Sequence, residues 1–405
     1  RIRGYSPLLD KDVYKPDLAW GPRLGAAFDV TGKGTSVLRS SWGRYFDGAS
    51  FNPFNQAVGG WTPFQSYEVL PNGQLVLFDE TTIGGNWTVA DNIKHFGLDE
   101  TTFGFEQQLR RDMRFAVTGI FRSWDNFVGA VIPGSTWTPF TRALPNPSNP
   151  TTTTSYPLYR WANRAQTADR TQVVNYAGFQ YRDPNGGLIG TLDPYRDYKG
   201  VMFVLTKSYS HRWQGQFSYV WSETKGNVNN GGRAGLGGSQ FRNPNIALIN
   251  ADGKLSNDRT LEFKLFGGYQ IPKVEVAVNA YYSAISGGTY TPVSLVSGSS
   301  SVLNWTGSLN INLAPLGSER LETQHRVDLR AEKLFNFDVH RFGIFVDVQN
   351  LFNADTITSV ETRVPSRSIT YAGPDGQPTS ATVLYKSPLS LISARQLTFG
   401  GRWSF

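Results

Sequence analysis

The sequence ends in Leu397-Thr-Phe-Gly-Gly-Arg-Trp-Ser-Phe405, where apolar and polar residues alternate. One side of this alternation holds Leu397, Phe399, Gly401, Trp403 and Phe405, and the other side holds Thr398, Gly400, Arg402 and Ser404. Successive side chains of a β-strand point to opposite faces. The stretch therefore predicts a terminal strand with one apolar and one polar face.

The same period of two recurs upstream through the whole chain, and it predicts about eleven strands. Most are longer than the ~9–11 residues that a tilted strand needs to cross a bilayer. A soluble antiparallel sheet also has one apolar and one polar face, so alternation alone leaves a soluble sandwich open. The predicted strands cover residues 24–30, 35–46, 96–109, 114–131, 197–209, 213–223, 260–271, 274–290, 326–337, 340–352 and 394–405.

The connections between these strands alternate between very short and very long. The long ones cover residues 47–95, 132–196, 224–259, 291–325 and 353–393, and they are rich in Gly, Pro, Asn, Ser and Thr, which is typical of exposed loops. Loops beyond ~12–15 residues are uncommon in compact soluble domains. Short turns opposite long loops indicate an all-β fold: a transmembrane antiparallel up-and-down β-barrel in a bacterial outer membrane, with extracellular loops and a periplasmic C-terminus.

Composition agrees with a β protein and excludes several kinds of site. Of the 405 residues, 14% are aromatic and 18% charged, and none is cysteine, which excludes disulfides and thiolate metal sites. A net charge of +7 without a Lys/Arg stripe argues against a nucleic-acid partner. No catalytic motif is recognisable, so we expect no enzyme, no catalytic residue and no cofactor. For Asn250-Ala-Asp-Gly253 with Asn257-Asp258, ordinary turns are favoured over a calcium loop, and no metal site is predicted.

The number of strands bears on the extent of the chain. An odd count starting outside the cell does not fit a complete single-chain barrel, which has an even number of strands. Residues 1–405 are therefore expected to form the C-terminal portion of one barrel, about the last 11 strands of a 22-stranded one. The N-terminal strands are expected outside this chain, and the last strand is expected to close against a strand absent from it.

Three short elements carry a family resemblance. Thr398, Gly400, Trp403 and Phe405 resemble the β-signal read by the barrel-assembly machinery. The segment Asn350-Leu351-Phe352-Asn353 resembles the penultimate-strand element of TonB-dependent receptors. Asp197-Tyr-Lys-Gly200 and Tyr219-Val-Trp-Ser222 are similar to the Oar-like branch of those receptors.

The resemblance implies a receptor that imports a large or scarce solute, using energy supplied by TonB through an N-terminal region. It also implies an N-terminal plug domain, which is expected outside this chain. The implied partners are outer-membrane lipid and lipopolysaccharide, the barrel-assembly machinery, the TonB system and surface partner proteins. Two alternatives stay open. One is a structural or adhesive surface protein whose loops bind proteins or polymers, and the other is a passive porin.

Two further expectations concern the faces of the wall. Aromatic girdles are predicted at Trp403 and Phe405 on one side of the membrane and at Tyr45, Phe46, Trp124 and Trp221 on the other. The charges on the polar face could contact a plug or line a solute path. A mutually paired wall is favoured for these residues: Glu262, Lys264, Asp328, Arg330, Glu332, Asp347 and Arg402.

Overall fold

The computed structural model is almost entirely β-structure, and one large antiparallel sheet dominates it. In this sheet every strand of the main path pairs with the one before it and the one after it in the chain, so the topology is a simple meander. The structure describes residues 4–6, 11–14, 18–46, 64–69, 74–81, 87–91, 93–167, 170–228, 240–337, 340–372 and 377–404.

Eleven strands form this sheet, which we call the wall, and they match the eleven predicted from the alternation. The short strand Gly253–Lys254 also pairs with the wall, beside the end of β6. The wall strands are β1 Arg23–Asp29, β2 Ser36–Phe46, β3 Gly97–Arg110, β4 Met113–Asp125, β5 Arg196–Ser210, β6 Trp213–Gly226, β7 Leu261–Ile271, β8 Val276–Ile285, β9 Gln324–Phe337, β10 His340–Gln349 and β11 Gln396–Ser404.

Three predicted strands were too long, and in each of them a left-handed backbone residue lies next to one of the two true ends. Asn126 has φ 51° and follows the end of β4, after which the chain leaves the wall and Val128–Val131 pairs with Thr171–Asn175. Glu275, with φ 51°, precedes β8, and Asn350, also with φ 51°, follows β10. A residue with positive φ cannot continue an extended strand, and the alternation of apolar and polar residues in the sequence does not show where such a residue lies.

The two faces of the wall differ as predicted. One face is apolar and exposed, and we call it the outer face; the other is polar, and we call it the inner wall. In β11 the outer-face residues Leu397, Phe399 and Trp403 are 59%, 73% and 67% exposed. Other exposed outer-face residues are Leu24, Phe28, Trp42, Phe103, Phe121, Trp221, Leu265, Phe342 and Ile344.

The long connections differ from the exposed loops expected from their composition. They fold into small sheets at one end of the wall, which we call the loop head. Its paired segments are Trp137–Asn146 with Asn149–Trp161, Val128–Val131 with Thr171–Asn175 and Trp87–Val89, Gln180–Arg182 with Leu188–Thr191, Thr289–Tyr290 with Glu319–Arg320, Val293–Val296 with Leu309–Asn312, Ile357–Val360 with Pro388–Leu391, and Ser366–Ala372 with Pro378–Leu384.

Other short elements complete the described structure. Phe64–Val69 pairs with Leu75–Thr81, and Gly4–Ser6 pairs with Lys11–Tyr14. The helices are short: Arg164–Thr167, Pro244–Ala247 and the 3-10 turn Gln240–Arg242. Among the described residues, no helix has the length and apolar character needed to span a bilayer.

The hydrophobic core lies in the loop head and not in the wall. One cluster gathers Trp137, Trp161, Tyr176, Tyr181 and Phe241, together with seven other buried residues. A second cluster contains Leu144, Leu158, Leu303 and Ile311. Burial of apolar side chains is the main source of stability in a folded unit. Because these clusters gather side chains from several connections, the loop head is a packed body and not a set of independent loops.

Candidate functional site: the inner wall and the loop head

The inner wall contains many ion pairs. Some join residues on neighbouring strands, and others join residues two positions apart on the same strand. All seven charged residues singled out from the sequence take part, which confirms the paired wall. The nitrogen–oxygen distances are 2.8 Å for Lys264–Glu262, 2.7 Å for Arg326–Asp328, 3.1 Å for Arg330–Asp347, 3.3 Å for Arg330–Glu332 and 2.7 Å for Arg402–Glu332.

Glu332 is the centre of the group nearest the C-terminus. Its carboxylate lies between the guanidinium groups of Arg330 on β9 and Arg402 on β11, on either side of β10. The side chain of Glu332 is 11% exposed, so these cations offset the cost of burying its charge. The three strands β9, β10 and β11 are thereby joined by charge as well as by backbone hydrogen bonds.

The terminal strand β11 also contains a steric fit that explains Gly400. A Cβ added at Gly400 would lie 2.2 Å from Cζ of Phe345, whose ring covers this position from β10. The guanidinium carbon of Arg330 lies 3.8 Å from the centre of the same ring. The ring is therefore held between Arg330 and the backbone of Gly400, and it has no room to retreat.

We expect Gly400→Ala to destabilise the wall by about 1–3 kcal/mol, because overpacking forces the Phe345 ring off its position. Gly401→Ala is the matched control, since its Cβ would meet the Phe342 ring at an ordinary 3.6 Å. The measurement is the urea midpoint of unfolding in detergent micelles. Equal midpoints for the two variants would show that the Phe345 ring does not select glycine.

The remaining residues of the predicted assembly signal fall on different faces. Thr398 lies on the inner wall opposite Asp347, and Trp403 lies on the outer face opposite Phe342. The Trp403 ring meets His340 edge-on, with centroids 5.6 Å apart. Phe405 lies outside the described residues. Recognition by the assembly machinery stays a prediction.

The Asn350-Leu351-Phe352-Asn353 element closes the long connection between β10 and β11. The amide of Asn350 donates to the carbonyl oxygens of Ala354 (2.9 Å) and Ser393 (2.8 Å), and its Oδ1 accepts from the N–H of Ala354 (2.8 Å). Asn353 Oδ1 accepts from the N–H of Arg395 at 2.9 Å. The two asparagines therefore tie the start of the connection to its end.

Backbone conformation explains why asparagine occupies both ends of this element. Asn350 has φ 51° and Asn353 has φ 52°, a left-handed conformation that asparagine tolerates better than most residues. Leu351 donates its N–H to Val327 on β9 at 2.8 Å, while Phe352 is 74% exposed. Asn350 itself is 2% exposed, so its three side-chain hydrogen bonds are sheltered from water.

Asn350→Ala is expected to cost about 3 kcal/mol, because it removes the three hydrogen bonds that this buried side chain makes with backbone groups of Ala354 and Ser393. Asn350→Gly should cost about 1 kcal/mol less, since glycine accepts the positive φ. The exposed Asp355→Ala serves as control and should change little. Urea unfolding and protease cleavage between residues 354 and 393 report the effect; cleavage no faster than in the control would contradict it.

The predicted aromatic girdle on the loop side is half correct. Trp221 and Phe46 lie on the outer face, and Trp221 is 47% exposed. Tyr45 and Trp124 lie on the inner wall instead, where they meet the guanidinium groups of Arg23 (4.6 Å) and Arg196 (5.8 Å), respectively. Each of these two residues is one position away from a residue that points outward, so its own side chain points to the inner wall.

The residues weighed as a calcium loop are engaged in internal bonds. Asp258 is fully buried and pairs with Arg320, and Asp252 accepts from the hydroxyl of Tyr195. This contact contributes to raising the pKa of Tyr195 to about 12, after desolvation as the larger cause. Asn250 and Asn312 exchange hydrogen bonds of 2.9 and 3.1 Å. In the described ranges no three His, Asp or Glu side chains lie together as metal ligands.

Sequence reasoning missed the residues that organise the loop head. Asp258 and Arg320 are 62 positions apart. The rings of Trp137, Trp161 and Trp305 pack within 6.0 Å of one another although they come from separate parts of the chain. Their segments carry no clean period of two. No local signal in the sequence announces these contacts.

One family of known proteins matches this chain by sequence. The sequence model described as outer membrane beta barrel domain matches residues 6–299. A search of curated proteins gave no match.

Solved structures of outer-membrane transporters and receptors resemble this chain at low sequence identity. The outer membrane transporter YddB from Escherichia coli is 11% identical, with TM-score 0.48, covering 95% of this chain and 40% of that one. The ferripyoverdine receptor of the Pseudomonas aeruginosa outer membrane is 13% identical (TM-score 0.44; 95% and 33% covered). The FrpB iron transporter from Neisseria meningitidis is 8% identical (0.46; 95% and 39%). This chain spans 40% or less of their lengths.

Proposed function

Because this chain belongs to the family of outer membrane beta barrel domains, we propose that it forms part of a TonB-dependent receptor that imports a large or scarce solute. The observation that carries the proposal is the pairing of a two-faced wall with a packed loop head at one end only. A polar inner wall borders a path for a polar solute, and the head offers a rigid surface that selects it.

Orientation follows from the asymmetry of the connections. Outer-membrane barrels have short periplasmic turns and long extracellular loops. The loop head is then extracellular, where it contacts the solute and surface partner proteins. The tight turns, such as His211-Arg212 with φ 51° and 68°, are periplasmic, as is the C-terminus. The exposed aromatic side chains of the outer face contact outer-membrane lipid and lipopolysaccharide.

The edges of the wall bear on the rest of the protein. Within the described residues, β1 pairs only with β2, and β11 pairs only with β10. In lipid, each unpaired backbone group costs several kcal/mol, so open edges are not stable there. Further strands are therefore proposed to cover both edges and complete a roughly 22-stranded barrel. A plug domain and the contact with TonB belong to that remaining part, and the barrel-assembly machinery inserts the whole.

The second candidate, an adhesive surface protein, is favoured by one feature of the loop head. The hairpin Trp137–Asn146 with Asn149–Trp161 is anchored by the buried Trp137 and Trp161, and the residues from Asn149 to Ser155 are exposed. This threonine-rich tip presents hydroxyl groups to the exterior from a rigid base. Such a surface suits contact with proteins or polymers without any transport.

The test is solute uptake by cells that carry the full-length protein, with and without collapse of the proton-motive force. Energy-dependent uptake that also requires TonB supports the receptor. Uptake that survives collapse of the force favours a passive porin. Normal cell adhesion that is lost on deletion of the gene, without any solute uptake, favours the adhesive protein.

A further inference from the structure

One corner of the inner wall lacks the charge pairing found around Glu332. It lies at the turn end of β3, β4 and β5, where a pocket of about 330 Å³ opens beside Arg110, Arg111 and Arg114. The side chains of Thr206 and Ser208 line the same pocket from β5. We call these five residues the basic corner.

The basic corner contains more cations than carboxylates that pair with them. Glu106 is shared by Arg114, at 3.0 Å, and Arg39, at 4.0 Å. Arg110 and Arg111 make no ion pair within the described part of the chain and are exposed. Each guanidinium offers five N–H donors, so the three arginines have many more donors than the Glu106 carboxylate can accept from.

Asp112, the other carboxylate at the corner, is already committed. Its Oδ2 lies 2.8 Å from Nζ of Lys207 and accepts from the hydroxyl of Ser210. These two contacts lower the pKa of Asp112 to about 2, so it stays ionised at neutral pH. Lys207 is only 8% exposed and depends on that carboxylate. Asp112 therefore neutralises Lys207 and leaves Arg110 and Arg111 without a counter-charge.

We propose that the basic corner binds a phosphate group of a soluble solute within the barrel. Guanidinium groups bind phosphate oxygens in paired hydrogen bonds, and rings of arginine select anions and phosphate in pores. A tetrahedral phosphate can accept from several guanidinium groups and from the hydroxyls of Thr206 and Ser208 at once. A planar carboxylate, with two oxygens, uses fewer of these donors.

The corner extends the proposed function, because it assigns a ligand class to the turn end of the same inner wall. Its position on the inner wall, on the face opposite the apolar residues, favours a soluble phosphate over the phosphate of a membrane lipid. Binding is measured without transport, so failure of this proposal and failure of the receptor proposal are distinguishable.

The experiment is titration of the purified full-length protein in a nonionic detergent with inorganic phosphate, followed by calorimetry at low ionic strength. We expect saturable binding that is weakened about tenfold or more in the double variant Arg110→Gln/Arg111→Gln, because charge-assisted hydrogen bonds are lost. The matched control is Arg212→Gln/Arg341→Gln, which removes the same charge from exposed residues at the turn end outside the pocket. It should stay within about twofold of the unaltered protein.

Acetate supplies the second comparison, and its binding should be about tenfold weaker than that of phosphate. Three results overturn the proposal: no saturable binding of phosphate, an equal loss in the control variant, or equal affinity for acetate. Heat-dependent mobility on a gel verifies that each variant is folded. All four arginines are exposed, so their substitution should leave the fold intact, and a loss of phosphate binding in one double variant alone reports on the basic corner.

Discussion

Asp258→Ala is expected to destabilise the loop head by about 3–5 kcal/mol, the cost of removing one partner from a buried ion pair. The Asp258 side chain is fully buried, and it pairs with Arg320, which is 26% exposed. Asp258 Oδ1 also accepts from the N–H of Thr224, near the end of β6, at 2.6 Å. Loss of the carboxylate therefore leaves the half-buried Arg320 cation without its counter-charge and the buried N–H of Thr224 without its acceptor.

The position of Asp258 makes the effect larger than that of a single contact. It joins the end of β6 to the strand Glu319–Arg320, and thus links the wall to the loop head. Asp258→Asn keeps an acceptor for Thr224 but removes the charge, so it should fall between the unaltered protein and Asp258→Ala.

Urea unfolding of the full-length protein and protease cleavage of the head measure this effect. Asp193→Ala is the matched control, because Asp193 is an exposed aspartate of the same region. It should change stability by less than about 0.5 kcal/mol. If Asp258→Ala and Asp193→Ala gave the same midpoint and the same cleavage rate, the assigned role of the buried pair would be wrong.

Trp137→Ala should produce a loss of similar size, about 3–5 kcal/mol, because it empties the centre of the first hydrophobic cluster. Trp137 is fully buried and stacks on Trp161, with ring centroids 5.6 Å apart and planes inclined by 19°. Trp305 lies 6.0 Å from Trp137 on another connection. Nε1 of Trp137 donates to Ser135 Oγ at 3.1 Å. The ring therefore joins separate connections into one core.

The measurement distinguishes a packed head from independent loops. Trp137→Ala should raise protease cleavage in several connections together, while the wall keeps its heat-dependent mobility on a gel. Leu188→Ala, at a head residue that is 59% exposed, is the control and should leave cleavage unchanged. Cleavage confined to the hairpin of Trp137 would mean that the connections fold separately.

The sequence by itself determined the wall. Alternation with a period of two assigned all eleven strands, their inner and outer faces, and the charged residues of the inner wall. Each strand of the meander pairs with the wall strands before and after it in the chain, and the phase of the alternation fixes which side chains face each side. Errors in the wall were of two kinds: strand ends such as Asn126 and Asn350, where one positive φ ends the extended chain, and the face assigned to Tyr45 and Trp124.

Only the tertiary structure decided the loop head, the fit of Phe345 over Gly400 and the basic corner. The stacked rings of Trp137 and Trp305 and the buried pair of Asp258 and Arg320 join residues far apart in the chain. Contacts of that kind leave no periodic trace, because each depends on where several connections meet. Gly- and Thr-rich composition indicated exposed loops, whereas a few buried aromatic and charged side chains hold those connections in a packed body.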